Sequence, residues 1–307
     1  MAIVNAKEIL QNATRDGYTV GAFNITSIVQ MKAVIEAAVK KKSPVIIQTS
    51  VGTVKFLTPQ LITAAFNALA KDAPVPICLH LDHCTDLDFC KRCADAGYTN
   101  IMIDASLENF EVNVQRTKEI VDYCHKIGGI SVEGELGTVM GVEDDISIDA
   151  EDAQLCDPDK ALEFVERTGV DLFAPAIGTA HGMYQKTPNI DFSLLEHIGQ
   201  LVNGDKMRAP LVIHGGTGLS EETIKRLISL GGAKFNVSTD LKHCIIDSTY
   251  DYLQNHQNDY NPGKLDQTAY AATVSLIEKW IDLFGSADRY GMENCESDKM
   301  LTGGGAQ

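Results

Sequence analysis

The chain lacks any long hydrophobic run and is poor in positive charge. No stretch of about 18 consecutive apolar residues occurs in its 307 residues, so no membrane-spanning helix is expected. Its first residues, MAIVNAKEIL, include polar and charged side chains, which argues against a secretory signal peptide. Lysine and arginine number 26 against 42 acidic residues, for a formal net charge of −16. Such a surface repels phosphate backbones, so neither nucleic acid nor a membrane is expected as a partner.

The lack of a secretory signal also bears on the eight cysteines. In a chain without such a signal they are expected to be reduced thiols, as in a cytoplasmic protein. Cys90 and Cys93 form a CxxC pair, which is one sign of a zinc or redox site. The pair lies in a helical pattern with no second pair in the sequence, and this favours the interpretation as thiols on a helix face.

Eight short apolar runs predict strands, and helical patterns lie between most of them. Their strict alternation predicts an α/β fold in which eight parallel strands close into a (β/α)8 TIM barrel. An open doubly wound sheet is the alternative, but it requires a glycine-rich fingerprint after the first strand, and GAFNITS has none. The predicted strands are 19–24, 44–50, 76–83, 100–106, 129–137, 171–179, 210–216 and 234–240.

The domain organisation follows from the same pattern. Residues 1–285 are predicted to form one catalytic barrel domain. Its last segment, 266–284, has the pattern of a long amphipathic helix that either closes the barrel or pairs two subunits. Residues 286–307 are polar and end in a glycine run, and we expect them to form a mobile tail.

Three of the predicted strands end in or near a histidine: His83, His181 and His214. Active sites of such barrels lie at the carboxyl ends of the strands. Three imidazoles beside a carboxylate, Asp82, describe a tetrahedral metal site with one open position. Neutral imidazoles suit zinc better than magnesium, so one zinc ion per chain is predicted.

Further acidic residues accompany the histidines. Asp104 and Glu135 could form an oxygen-rich neighbouring position for a mobile metal, or they could orient the histidines. Strand alternation places His80 on the same face as Asp82, and Glu133 on the same face as Glu135. Which pair faces the lumen stays open, and His80 is expected to be a packing or supporting residue rather than a ligand.

Two loops have the features of a phosphate cradle, which barrels usually place after strands 7 and 8. In HGGTGLSEETIKRL the glycines at 215, 216 and 218 allow a close approach of an anion to the backbone, and Ser220 is the predicted cap of the following helix. In NVSTDLKHC, Ser238 and Thr239 open another helix.

The loop 138–156 is long and acidic for a barrel connection. We expect a lid over the site or a disordered flap, with an idle surface insertion as the alternative.

The pieces GAFN, LHLDH, MIDAS, VEGELG, APAIGTAHG, VIHGGTG and KFNVSTDLK, in this order, resemble the class II metal-dependent ketose-bisphosphate aldolases over residues 1–285. In that family a zinc ion binds the ketose end of dihydroxyacetone phosphate and stabilises an enediolate. The resemblance implies reversible cleavage of a ketose 1-phosphate or 1,6-bisphosphate, of fructose or tagatose type, to dihydroxyacetone phosphate and an aldehyde. It also implies a homodimer or homotetramer, and a monovalent cation sometimes bound nearby.

The resemblance also implies residue roles. His83, His181 and His214 match the zinc ligands. Asp82 matches the acid/base that handles the C4 hydroxyl proton, and Glu143 in GVEDD matches the mobile-loop carboxylate that takes the C3 proton. The residues that match substrate contacts are Asn24, Ser50, Gly182, Gly215, Thr217, Asn236, Ser238 and Thr239.

Some positions depart from the fructose-bisphosphate pattern. Ser238 stands where those members usually have Asp, Lys242 where they often have Arg, and Thr217 where the family has Ser. Tagatose-bisphosphate members have a small residue and Lys at the first two positions. The aldehyde end is therefore open between glyceraldehyde 3-phosphate and an anionic analogue such as a sulfonated three-carbon aldehyde, which sulfofructose 1-phosphate would yield.

A second anionic group needs a cation, and the candidates are Lys55, Lys242 and Arg289, the last by reaching into a neighbouring subunit. Lys234, the obvious strand lysine, is expected to lie away from the catalytic end, which disfavours Schiff-base chemistry. Two other functions stay open: a non-catalytic barrel subunit of an aldolase complex, and a metal-dependent hydrolase. The latter commonly has HxH on strand 1, which GAFN lacks.

Overall fold

The computed structural model describes residues 2–143, 146–148, 153–182 and 189–290. The side chains of residues 140, 142–143 and 146–148 lie outside this description. The strands are β1 (Val20–Asn24), β2 (Val45–Ser50), β3 (Ile77–Cys84), β4 (Asn100–Ile103), β5 (Ser131–Leu136), β6 (Met140–Glu143), β7 (Ile146–Ile148), β8 (Leu172–Pro175), β9 (Ala180–His181), β10 (Leu211–Ile213) and β11 (Gly232–Val237).

Eight of these strands form a closed parallel barrel in the order β1, β2, β3, β4, β5, β8, β10, β11 and back to β1. This confirms the predicted TIM barrel, and each of the eight predicted strands overlaps one barrel strand. Closure excludes the open doubly wound sheet. The helices are α1 (Ala6–Asp16), α2 (Ile28–Lys41), α3 (Val51–Leu57), α4 (Pro59–Ala70), α5 (Leu87–Ala96), α6 (Phe110–Ile127), α7 (Pro158–Thr168), α8 (Phe192–Asn203), α9 (Glu221–Ser229), α10 (Thr239–Asn255) and α11 (Pro262–Phe284).

The lumen of the barrel is apolar at its amino-terminal end. Ile9 and Leu10 of α1, a helix that the sequence analysis did not predict, pack with Val20, Ile46 and Cys78 from the first strands. Every second residue of a strand points inward, so the same strands present polar side chains further along. This apolar plug supports the polar layers above it.

The loop after β5 forms part of a second, three-stranded sheet. β6 runs antiparallel to β7 and parallel to β9, the short strand that ends in His181. The described part of the predicted lid therefore pairs with the backbone of a predicted metal ligand. Residues 144–145 and 149–152 of that loop lie outside the described residues.

The start of the predicted tail packs on the barrel. The Ser286 hydroxyl lies 2.9 Å from that of Ser43, and the backbone N–H groups of Asp288 and Tyr290 donate to carbonyl groups at the end of α2. Residues 291–307 lie outside the described part. The long amphipathic helix α11 packs against α2 and α10.

Two smaller expectations also have structural answers. In the described part of the chain all seven cysteines are free, and Cys90 and Cys93 are buried on α5. No helix within the described ranges is long and apolar enough to cross a membrane.

Candidate active site

Three histidines converge at the carboxyl end of the barrel. His83 lies near the end of β3, His181 ends β9, and His214 follows β10 directly. One ring nitrogen from each lies within 4.8 Å of the others. His83 Nε2 and His214 Nδ1 are 2.7 Å apart, and the His181 ring lies edge-on, 5.0 Å from the His83 ring centroid. The structure thus brings together the three predicted ligands.

An unusual backbone conformation puts both Asp82 and His83 in the site. Consecutive strand residues normally point to opposite faces. His83 has φ of 42°, in the left-handed region that non-glycine residues rarely adopt, and the pairing of β3 with β4 shifts register between Leu81 and Cys84. Such strained conformations cluster at functional sites, where the surrounding structure maintains them.

Carboxylates behind two histidines fix which nitrogen each one offers. His83 donates from Nδ1 to Asp104 Oδ2 at 2.8 Å, and His214 lies with Nε2 3.0 Å from Glu133 Oε1. The Ser106 hydroxyl donates to the other oxygen of Asp104. His83 is left to offer Nε2, and His214 to offer Nδ1, as in carboxylate–histidine–metal arrangements.

Glu135 supplies an independent test of whether a cation fits. Its side chain is buried, and Oε2 has no hydrogen-bond partner among the described residues. That oxygen lies 3.7 Å from His214 Nδ1. Burial and the neighbouring charge of Asp104 raise the pKa of Glu135. An orphaned buried carboxylate oxygen beside convergent imidazole nitrogens fits a divalent cation, since buried polar atoms otherwise find partners.

The two open interpretations of Asp104 and Glu135 can be separated in part. Asp104 orients His83 through the hydrogen bond described above. The atoms of His83, Asp104 and Glu135 also lie within 4.8 Å of one another, so the same residues form a second possible ligand group. Burial lowers the pKa of His214 to about 4, which keeps its imidazole neutral and able to ligate.

Asp82 is held by amides rather than by the ligand cluster. Asn24 Nδ2 donates to Oδ2 at 2.8 Å, Asn236 Nδ2 lies 3.4 Å from Oδ1, and Gln48 Nε2 donates to Asn24 Oδ1 at 2.7 Å. Burial by itself raises the pKa of Asp82, but the charge of His83 and the contact with His80 outweigh it, so the pKa lies well below its usual range. Asp82 is therefore a carboxylate with a fixed orientation, able to accept a proton.

A chain of hydrogen bonds inside the lumen leads from Ser131 to His80, which faces Asp82. The Ser131 hydroxyl donates to Asn100 Oδ1, and Asn100 Nδ2 donates to His80 Nδ1. His80 Nε2 then faces Asp82 Oδ1 at 3.7 Å. His80 is completely buried and supports Asp82 from inside the lumen. Both pairs that the sequence left open, His80 with Asp82 and Glu133 with Glu135, face the lumen.

A small pocket beside the histidines gathers the predicted phosphate residues. Gly215 has φ of 69°, and a Cβ there would lie 2.3 Å from the carbonyl oxygen of Ala180, so only glycine fits this approach. Ser220 caps α9 as predicted, whereas Ser238 precedes α10 without making a capping hydrogen bond. The pocket is lined by His181, Gly182, Gly215, Gly216, Thr217, Asn236, Ser238, Thr239 and Lys242.

Of the two predicted contacts at the first strands, Asn24 holds Asp82, and Ser50 caps a helix. Ser50 Oγ accepts from Thr53 N at 3.4 Å at the start of α3. Ser50 also pairs with Asp82 in the register of β2 and β3, so its backbone borders the site. Glu143 is the last residue of β6, and its side chain lies outside the described residues.

The candidate cations lie in different places. Lys242 lines the phosphate pocket. Lys55 lines a separate cavity of about 340 Å³, together with Cys84, Asp86 and Arg92. Arg92 was not predicted from the sequence, because only the fold brings this residue of α5 to the same cavity as Lys55. Arg289 lies over the Tyr18 ring, ahead of β1, at the opposite end of its own barrel.

The expected place of Lys234 was wrong. Its side chain is completely buried in the lumen and its Nζ lies 2.9 Å from Glu133 Oε2, next to the site rather than away from it. The backbone of Lys234 lies in the first half of β11, but its long side chain extends toward the catalytic end. The prediction considered only the position of the residue in the strand. Its amino group forms an ion pair with Glu133, which still disfavours Schiff-base chemistry at this lysine.

Comparisons with known proteins agree with this geometry. The family model "Fructose-bisphosphate aldolase class-II" matches residues 4–289. The chain belongs to this family. Among solved structures, the YdjI aldolase from Escherichia coli K12 is 32% identical with a TM-score of 0.81, over 94% of this chain and 100% of that one.

Two further aldolase structures share the fold. A protein from Coccidioides immitis described as a putative fructose-1,6-bisphosphate aldolase is 29% identical with a TM-score of 0.84, over 93% of this chain and 98% of that one. Fructose-bisphosphate aldolase from Campylobacter jejuni is 21% identical with a TM-score of 0.80, over 93% and 96%. Family membership supports a lyase that cleaves carbon–carbon bonds.

Proposed function

We propose that this aldolase requires zinc and reversibly cleaves a ketose 1-phosphate or 1,6-bisphosphate, of fructose or tagatose type, to dihydroxyacetone phosphate and an aldehyde. The observation that carries the proposal is that the lumen holds a group of metal-ligand type and, apart from it, a carboxylate able to transfer a proton. Three imidazole nitrogens converge on one point, while the neighbouring carboxylate of Asp82 is held apart by Asn24.

His83, His181 and His214 are the residues that would hold the metal. When bound there, zinc supplies a Lewis acid that polarises the ketose carbonyl. Asp104 and Glu133 orient two of the imidazoles from behind, so the donor nitrogens face the substrate side of the lumen.

Asp82 handles the proton of the C4 hydroxyl. In the cleavage direction the hydroxyl gives its proton to the Asp82 carboxylate, the C3–C4 bond breaks, and its electron pair remains on C3. The aldehyde forms at C4. Asn24 and Asn236 hold the carboxylate toward the substrate while its protonation changes. Glu143 then returns a proton to C3, in the role that the family resemblance implies.

The C1 phosphate of the substrate would bind in the glycine-lined pocket. Gly215 brings its loop against β9, and Lys242 supplies positive charge at the pocket wall. The start of α10 at Thr239 adds backbone N–H groups, which favour an anion at a helix N-terminus. A local site of this kind is needed because the protein's overall charge of −16 repels anions.

The far end of the substrate is proposed to be anionic, with Lys55 and Arg92 as the cations that bind it. Both residues line the cavity beside Cys84, the residue after the metal ligand His83. A second phosphate fits this proposal, and so does the sulfonate of sulfofructose 1-phosphate, the alternative substrate. A monovalent cation near the phosphate pocket remains part of the proposal by resemblance only.

Metal removal tests the proposal directly. The purified protein is stripped with a strong chelator, and cleavage of fructose 1,6-bisphosphate, tagatose 1,6-bisphosphate and sulfofructose 1-phosphate is followed. We expect activity to disappear, and to return with about one equivalent of zinc but not with magnesium. Cleavage that persists in fully stripped protein would refute metal dependence.

A non-catalytic subunit of an aldolase complex is the second candidate. It is disfavoured because the complete set of three histidines and Asp82 lies assembled in one lumen. Zinc-loaded protein with no turnover on any ketose phosphate would support it.

We also propose a cytoplasmic homodimer or homotetramer. Exposed apolar side chains at Ile246, Tyr250 and Leu253 lie along one side of α10, and such patches often mark subunit interfaces. Sedimentation of the purified protein would show a single monomeric species if this is wrong.

A further inference from the structure

A buried ion pair lies directly beneath the metal ligands. Lys234 Nζ contacts both carboxylate oxygens of Glu133, Oε2 at 2.9 Å and Oε1 at 3.2 Å. Both side chains are completely buried in the lumen. The two residues come from β11 and β5, which are separated by β10 and β8 in the barrel.

The carboxylate of this ion pair also contacts a predicted metal ligand, His214. Glu133 Oε1 lies 3.0 Å from His214 Nε2, while His214 Nδ1 faces His83 Nε2 at 2.7 Å and Glu135 at 3.7 Å. A nitrogen that ligates a metal carries no proton, so the proton of the neutral ring must sit on Nε2 and point to Glu133. The orientation of one carboxylate therefore decides which nitrogen of His214 faces the ligand cluster.

We propose that Lys234 is a positioning residue for the metal site: by bonding both oxygens of Glu133 it fixes the carboxylate so that Oε1 holds His214 in the Nε2–H form with Nδ1 free to ligate. The inference rests on the proposed metal function. Among the described residues, Lys234 Nζ contacts Glu133 and His80 rather than a predicted ligand, so it acts through Glu133.

Stability alone is a weak reason for such a pair. Removing two charges from water is costly, and well-packed apolar residues often replace a buried ion pair with no loss of stability. Orientation is a stronger reason, because a partner behind a ligating histidine strongly affects metal affinity. Near its Nζ, Lys234 also has His80 Nε2 at 3.4 Å, so the same charge sits close to the residue that supports Asp82.

The test compares the unchanged protein with Lys234→Met. Zinc affinity is measured by competition with a chromophoric chelator, and the tautomer of His214 in metal-free protein is read from ¹⁵N chemical shifts of its ring. We expect the Nε2–H form in the unchanged protein. In Lys234→Met we expect both tautomers and a zinc affinity lower by roughly tenfold to a hundredfold, the usual effect of disturbing the partner of a ligating histidine.

Lys7→Met is the matched control. Lys7 Nζ pairs at 2.8 Å with Asp171, a buried carboxylate that also contacts His125 and lies outside the ligand cluster. This variant loses an ion pair to a buried acid and is expected to keep the zinc affinity and the His214 tautomer of the unchanged protein. An equal loss of zinc affinity in Lys7→Met would show a general effect on the fold and overturn the proposal.

A second variant covers the case in which Lys234→Met does not fold. Lys234→Met/Glu133→Gln leaves no unpaired charge and keeps an acceptor oxygen beside His214. We expect it to fold, to show two His214 tautomers and to bind zinc at least roughly tenfold more weakly than the unchanged protein. Unchanged affinity and a single tautomer in either variant would overturn the proposal. Absence of zinc binding in the unchanged protein would instead refute the proposed function, and the tautomer readout would still stand on its own.

Discussion

Gly141 lies beside His181 in the register of β6 and β9, so backbone pairing attaches the acidic loop to a predicted metal ligand. Gly141 has φ of 105°, and a Cβ at this position would lie 2.3 Å from the carbonyl oxygen of His181. The loop strand approaches the ligand strand this closely only because residue 141 has no side chain. Glu143, the proposed C3 proton carrier, ends the same strand two residues later.

We expect Gly141→Ala to weaken metal binding, because the added methyl group must push His181 away from its position. Zinc affinity should fall by roughly tenfold or more, as it does when groups that orient a ligand are lost. The measurement is the chelator competition described above, with cleavage activity followed in parallel.

Gly129→Ala is the control for backbone strain. Gly129 has φ of 75°, yet its Cβ position has no neighbour within 4 Å. Both variants should lose about 1–3 kcal/mol of unfolding free energy from strain, and only Gly141→Ala should bind zinc more weakly. Equal zinc affinity in the two variants would mean that the contact with His181 does not matter.

Replacing Asp82 should separate catalysis from metal binding. Asp82→Ala is expected to keep zinc but to lower the cleavage rate by about 10²–10⁴, the usual contribution of a positioned proton-transfer group. Asp82→Asn should lose as much, since it keeps the shape and the neighbours of the carboxylate but cannot accept the proton. Rates come from steady-state assays and zinc content from elemental analysis. Loss of zinc in Asp82→Ala would make the residue a ligand and our assignment wrong.

The proton carried by the loop can be followed without cleavage. Glu143→Ala should still bind dihydroxyacetone phosphate but fail to exchange its C3 proton with deuterium from the solvent. The exchange is measured by proton NMR in D₂O. Exchange at the unchanged rate would move the role to Asp144, Asp145 or a water molecule.

Periodicity was enough to predict the barrel, because strand and helix patterns depend on neighbouring residues. The sequence also predicted which residues lie at strand ends, and so the group His83, His181 and His214. It could not decide whether His80 with Asp82 or Glu133 with Glu135 faces the lumen. Strand alternation shows which residues share a face, but not which of the two faces points inward. Closure of the barrel decides this, because it gives every strand one inner and one outer face.

Two features could not be predicted from the sequence, because they depend on contacts between residues far apart in the chain. Lys234 meets Glu133 across 101 residues, and its reach depends on the side chain rather than on its place in the strand. The left-handed backbone at His83 breaks strand alternation, and residue type alone does not predict it, since only a few per cent of non-glycine residues adopt such conformations and they persist only with tertiary support.

The far end of the substrate gives the last prediction. Lys55 and Arg92 line one cavity of about 340 Å³ next to the strand ends of β2 and β3. In a protein of charge −16, two cations against the single carboxylate of Asp86 at one cavity favour an anionic ligand group. We expect a ketose with anions at both ends to exceed the same ketose 1-phosphate with a neutral far end by at least roughly tenfold in kcat/KM, about 1.4 kcal/mol of transition-state binding.

The double variant Lys55→Met/Arg92→Met should remove this preference, because no other described residue that lines the cavity carries positive charge. The rate with the neutral-ended substrate should stay unchanged, since the metal ligands and Asp82 are untouched. Lys71→Met, which removes an exposed lysine at the end of α4, should keep the full preference. A coupled assay across fructose, tagatose and sulfofructose derivatives phosphorylated at C1 gives all the values. Equal kcat/KM for neutral-ended and anionic substrates in the unchanged protein would show that no far-end anion site exists and would exclude a bisphosphate substrate.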